Sequence, residues 1–231
     1  MRQLILALTL VSLLAPAVRL HAQSATASAR HASLKQEIAL AYQRGLNFLK
    51  SQQNAETGQW GEVEPVAFTG LVTACFLMDP NRAPGSPAPA EAEKGAAFLL
   101  KHVQPDGGIY LKARANYNTA LALIALLLNP KLENEEVMLR ARRFLISRQM
   151  DLDEPGKNDN PLDGGIGYGD EKGNHADLSN MHFAMEALHH AEALLADKGD
   201  AAKNEPRLNF AAAIDFIQRC QNLPETNKAS W

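Results

Sequence analysis

Three groups of residues have the types and spacing that chemistry needs. The first is Asp151-Leu152-Asp153-Glu154, a run of carboxylates in which one group can hold a proton that its neighbours have lost. It is followed by Lys157, Asn158, Asp159 and Asn160, so the plainer reading is a solvated acidic loop. The second is His175, Asp177 and His182, with Glu186 and His189 beyond. His182 and Glu186 are four apart and share a helical face, as do His182 and His189. A metal site needs at least three converging N or O ligands, and Asp177 and Ser179 are equally good helix N-caps, so no metal is assigned. The third is PLDGGIGYGD, residues 161–170, with Gly164, Gly165, Gly167 and Gly169 between Asp163 and Asp170. A glycine pattern with no preceding strand is weak evidence for a phosphate loop. No CxxC pair, zinc spacing or nucleophile elbow occurs, and no cofactor is expected.

The elements that must position these residues are helical almost throughout. Apolar residues recur at helical spacing over about 33–52, 65–78, 91–103, 116–128, 133–149, 177–195 and 206–221. Strand signals are nearly absent, and a Pro/Ala-rich linker fills 79–92. Apolar residues make up 46% and the formal net charge is −3, which suits a globular core. No basic stripe marks a nucleic-acid partner. Cys75 and Cys220 do not make a disulfide framework and read as two independent structural thiols.

Self-comparison organises the chain. Residues 44–60, 94–110, 140–149 continued to the 163–169 turn, and 212–231 align. Each has a phenylalanine (Phe48, Phe98, Phe144, Phe216) followed by Leu49, Leu99, Leu145 or Ile217. Gln53, Gln149 and Gln221 come five residues after their phenylalanines; Val103 takes that place in the second segment. The first three segments then pass through glycine turns, with Gly58 and Trp60, Gly108 and Tyr110, and Gly165 and Tyr168 expected in matching roles. A second, more apolar helix follows each turn. The unit is therefore an amphipathic outer helix, a turn and an inner helix, and such units bury their apolar faces only by stacking. The acidic insert 150–162 marks the third unit as the one expected to border a functional cavity.

Arg44-Gly45, Phe48-Leu49, Gln53 and Gly58-Gln59-Trp60 resemble the repeat of squalene-hopene cyclases, with related repeats in protein prenyltransferase beta subunits. The resemblance implies an all-α fold, an α/α toroid of helical hairpins, of which this chain holds about half. It also implies a cavity for an apolar, isoprenoid or polymeric ligand. The cyclases' acidic DxDD cluster has its nearest match at Asp151, Asp153 and Glu154 and departs from it at the last position. The prenyltransferases' Asp-x-Cys zinc pair is missing.

Residues 1–22, MRQLILALTLVSLLAPAVRLHA, read as a secretory signal peptide, with Arg2 before an apolar stretch. A flexible segment over 23–32 and an α/α domain over 33–231 are expected to follow. Export to the periplasm or outside is the expectation, with no membrane span after cleavage. The fourth segment reaches Trp231 without a following inner helix. Ring completion is thus expected from a further C-terminal half or from homo-oligomerisation. Three functions fit: a non-catalytic exported repeat protein binding a ligand or protein partner, a terpenoid-cyclase-like enzyme, and a polysaccharide-active toroid enzyme.

Overall fold

The computed structural model describes residues 31–129, 131–169, 175–196 and 198–221. The expected signal peptide (1–22), residues 23–30 of the expected flexible segment, Asp170 and the segment 222–231 with Trp231 lie outside them. The chain divides into two units, one reaching Phe48 and the other starting at Leu49. In the first, residues 31–48 form a helix, which continues to residue 51 and is called α1. Residues 31 and 32, expected to be flexible, are its first two.

The second unit contains α2 (Pro65–Leu77), α3 (Ala90–Leu100), α4 (Ala115–Leu127), α5 (Glu135–Ile146), α6 (Leu178–Ala191) and α7 (Phe210–Arg219). The fold is all-α. Among the described residues there is no strand, only two isolated bridges, Val103 with Ile109 and Gly167 with Ala176. The helices follow the apolar periodicity closely. Their ends depart where the chain tightens into 3-10 geometry, before α5 at Leu132–Asn134 and after α6 at Glu192–Leu195. Residues 206–209, expected in the last helix, stay outside it, because Asn209 caps α7 by accepting from Ala212 N.

α2, α4 and α6 pack side by side, with α3 against α2 and α5 across α4 and α6. α4 is buried over most of its surface, which its sequence ANYNTALALIALL requires. Ten of its residues join Phe98, Leu99, Met138, Phe144, Leu145 and Phe216 in or beside one core.

Three glycine junctions hold the following outer helix. Gly58, Gly107 and Gly164 have φ of 82°, 94° and 83°. A Cβ added there would meet the carbonyl oxygens of Lys94, Arg140 and Ala212 at 2.6, 2.9 and 2.0 Å. Each of those residues lies four before its phenylalanine, Phe98, Phe144 or Phe216. Only glycine allows both the left-handed backbone and this approach. The glycine matching Gly58 is therefore Gly107 or Gly164, a correction to Gly108 and Gly165. Gly108 and Gly165 sit one place further on, where an added Cβ would meet the Phe144 ring at 3.0 Å and the Phe216 ring at 2.9 Å. The same register puts Ile109 and Ile166, not Tyr110 and Tyr168, in the buried place of Trp60. Trp60 N and Ile109 N each donate to a threonine Oγ1, of Thr69 and Thr119, at 2.9 Å.

The glutamines act as ties. Gln53 Nε2 donates to Gly58 O and to Glu91 O, both at 2.9 Å. Gln149 Nε2 donates to Gly164 O (3.0 Å) and Asn209 O (2.9 Å), and its Oε1 accepts from Asn209 N. Each side chain thus joins its own turn to the start of the next outer helix. At the second junction, where Val103 replaces glutamine, Arg140 Nη2 supplies the link by donating to Gln104 O and Pro105 O. Trp60 closes the first junction by donating Nε1–H to Leu49 O at 2.6 Å.

Two expectations fail. Phe48 is 64% exposed, whereas its three counterparts are buried, because they pack on a preceding glycine turn and Phe48 belongs to the first segment. Cys75, read as a structural thiol, lies in the apolar run of α2 but is exposed. Cys220 is exposed too, and no disulfide forms among the described residues.

α5 carries a further anchor. Arg142 is 1% exposed, donates to Glu192 Oε1 (2.8 Å) and Pro206 O (2.9 Å), and lies 4.0 Å from Glu205. Arg143 holds Glu205 through two bonds of 3.0 and 2.7 Å. Together they fasten α5 to the connection between α6 and α7.

Candidate functional site

The acidic candidates serve the 150–163 loop. Asp151 accepts from Gly156 N through both oxygens, at 3.0 and 2.9 Å. Asp153, at φ 55°, accepts from Asn160 Nδ2, and Glu154 pairs with Lys157 in solvent. All three are exposed, so no dry acid cluster forms. The loop's organiser is Asp163, which is buried. Its Oδ1 accepts from Leu152 N at 2.7 Å and its Oδ2 from Asp159 N and Asn160 N. These bonds, that from Leu152 above all, hold its carboxyl below the usual range. Beside the loop, Gln149, Lys157, Asn158, Asp163 and Asp215 stand with Ile146, Met150 and α7 around a groove of 430 Å³.

His175, Asp177 and His182 do not converge. His175 is exposed, and its carbonyl lies against Gly167. Asp177 caps α6, accepting from Asn180 N (2.9 Å) and Asn180 Nδ2 (2.6 Å). His182 is mostly in solvent, 3.6 Å from Glu186. No group of three metal-ligating His, Cys, Asp or Glu side chains occurs among the described residues.

A different constellation forms where α2, α4 and α6 begin. Glu64 and Arg114 precede α2 and α4, and both have φ 51°, a left-handed conformation that costs a side-chain-bearing residue about 1–2 kcal/mol. Asn118 holds this pair in place. Its Nδ2 donates to Glu64 Oε2, Ala113 O and Arg114 O, while its Oδ1 caps α2 by accepting from Ala67 N at 2.8 Å. Asn116 ties the start of α4 to the glycine turn that precedes α6, with its N donating to Tyr168 O and its Nδ2 to Gly167 O. Strained residues held from several directions mark preorganised sites.

The side chains gathered there are Glu64, Arg114, Tyr117, Tyr168 and Phe183. Arg114 lies 3.7 Å from Glu64 and over the Tyr168 ring at 5.5 Å. Tyr117 contacts Tyr168 and Phe183, with ring centroids 5.8 and 5.7 Å apart. Burial, and then Tyr168, push the Tyr117 hydroxyl pKa up, so it remains a hydrogen-bond donor at neutral pH. Asn116 Oδ1 and Asn180 Oδ1 are buried at this end with no hydrogen-bond partner among the described residues.

Of these five side chains only Tyr168 stands out in sequence, and there as a turn aromatic rather than as part of a site. The available signal was positional: each lies in or just before the first turn and a half of an inner helix, or at the end of the third turn.

No family model matches the chain, nor does any curated protein or solved structure. No helix among the described residues is long and apolar enough to cross a membrane.

Proposed function

We propose that this chain is an exported, non-catalytic binding protein of the squalene-cyclase and prenyltransferase-like toroid type. Its ligand site lies at the start of α2, α4 and α6. The observation that carries the reading is the rigid aromatic and charged cluster of Glu64, Arg114, Tyr117, Tyr168 and Phe183 on a strained, cross-tied backbone. Aromatic faces beside an arginine and a carboxylate suit a ligand with an extended apolar or polymeric body and a few polar groups, an isoprenoid lipid or a glycan. The three glycine junctions support a repeat architecture, and the signal-like N-terminus supports export.

Catalysis of the cyclase kind needs a proton donor in a dry cavity. Asp151, Asp153 and Glu154 are exposed and committed to their loop, which favours binding over cyclisation. Of the enzyme alternatives, a polysaccharide-active one draws support from the Tyr117 and Tyr168 faces beside Glu64.

The test is native mass spectrometry of the protein from its exported fraction, followed by thermal-shift titration with polyisoprenoid lipids and oligosaccharides. A retained or stabilising ligand of one class, lost in Tyr117→Ala and Arg114→Gln, is expected. Absence of binding by both classes, or undiminished binding by the variants, refutes the reading.

A further inference from the structure

The cluster where α2, α4 and α6 begin treats an isoprenoid lipid and a glycan differently. Its aromatic faces serve both, because a hydrocarbon chain and the C–H face of a sugar ring each pack on a ring face. Its polar groups serve only the glycan. The side chains of Glu64 and Arg114 are 20% and 46% exposed. A hydrocarbon laid over the rings strips water from both charges and returns no hydrogen bond. A sugar replaces that water. A carboxylate accepts from neighbouring hydroxyls, and a guanidinium donates to them through a planar fork of N–H groups.

These polar groups also have fixed directions. Asn118 Nδ2 holds Glu64 Oε2 at 2.8 Å, while Glu64 Oε1 lies 3.7 Å from Arg114 Nε, beyond hydrogen-bond length. Glu64 thus keeps acceptor capacity on an oriented carboxylate. Tyr117 touches both Tyr168 and Phe183, which fixes its ring and the direction of its hydroxyl. Beside Tyr168, the buried Asn116 Oδ1 lies against Gly169 and has no donor among the described residues. Fixed directions match hydroxyls at set places on a ring, and a sliding hydrocarbon makes no use of them. Charge narrows the class further. Glu64 and Arg114 cancel, as do the exposed Glu62 and Lys112 that stand two residues before each of them. The described residues of the cluster therefore draw in no particular charge.

We infer, resting on the binding role proposed above, that the ligand is a neutral glycan, with its ring faces on Tyr117 and Tyr168 and its hydroxyls on Glu64, Arg114 and Tyr117. A site that pairs hydroxyls rejects an analogue lacking them, because its own polar groups are then left bare.

Isothermal titration calorimetry of the full chain tests this. Cellohexaose, mannohexaose, xylohexaose and chitohexaose are the neutral probes, hexagalacturonate the acidic one, and a polyprenol in detergent micelles the hydrocarbon. Binding of at least one neutral hexasaccharide, and of neither other probe, is expected. Glu64→Gln and Tyr117→Phe keep the shape of each side chain and remove a charge and a hydroxyl. Glu64→Gln also keeps an acceptor for Asn118. Each is expected to weaken glycan binding roughly tenfold, with an unchanged circular dichroism spectrum, whereas a hydrocarbon would bind both variants as well as the parent or better. Polyprenol binding without hexasaccharide binding overturns the inference and leaves the binding role standing. Binding of none of the probes overturns both. Preference for hexagalacturonate, or neutral binding undiminished in both variants, also overturns the inference.

Discussion

Substituting alanine at the junction glycines separates backbone strain from helix approach. Gly156 and Gly85 have φ of 78° and 74° with open space around them. Alanine there meets only the left-handed penalty, about 1–2 kcal/mol. Gly164 has nearly the same φ, but its new Cβ would lie 2.0 Å from Ala212 O and 2.3 Å from Ala212 C. A carbonyl inside α7 cannot rotate away, so the helix itself must shift by about an ångström, at an overpacking cost of about 1–3 kcal/mol more. Gly164→Ala should thus lose about 2–5 kcal/mol in all, a fall in melting temperature of roughly 4–20 °C. Gly58→Ala and Gly107→Ala, with contacts of 2.6 and 2.9 Å, should fall between. Urea denaturation of the five variants gives the order directly. If Gly164→Ala is no less stable than Gly156→Ala, the close seating of α7 on its turn is wrong.

Further outcomes follow from other contacts. Arg142→Ala should cost about 3–5 kcal/mol in chemical denaturation, whereas Arg142→Met, which replaces the buried charge with apolar volume, should come within about 1–2 kcal/mol of the parent. Gln149→Ala leaves Gly164 O, Asn209 O and Asn209 N without their shared partner and should lose about 1–3 kcal/mol, with hydrogen exchange rising first at the start of α7. Glu205 has its pKa lowered by its bonds to Arg143, and Glu192 is lowered by Arg142 and Arg207 against the opposing effect of burial. Both therefore contribute stability above the ordinary value of 4.5 that is lost as pH falls through it and below. Glu205→Gln should flatten the acid limb of a stability–pH profile and leave its neutral-to-basic limb unchanged in shape.

The helices were legible because burial imposes a period, and α4's continuous apolar run could only be a helix enclosed by its neighbours. Gln53 and Gln149 were legible as a recurring place five residues after a phenylalanine, but the carbonyls they tie lie up to 60 residues away and no local pattern shows them. The glycine register was harder. Tyr110 and Tyr168 drew the eye as counterparts of Trp60, but the place selects for burial, and isoleucine satisfies it without a ring. Arg142 was hidden for the opposite reason. A charged residue on an amphipathic helix reads as solvent-facing, and only the distant Glu192 and Pro206 carbonyl make its burial tolerable. The Glu64 and Arg114 cluster depends on Asn118 and Asn116 crossing between helices, and no local pattern encodes such a crossing.

The borrowed caps give the chain a direction in time. Ala67 N waits for Asn118, and Asn116 for the carbonyl of Gly167; in both cases the partner lies 51 residues further on. At ribosomal speeds that is a delay of about 3–10 s between the synthesis of a helix start and the arrival of the group that secures it. The starts of α2 and α4 are therefore finished by chain made later, whereas α6 carries its own cap in Asp177 and closes the series without waiting.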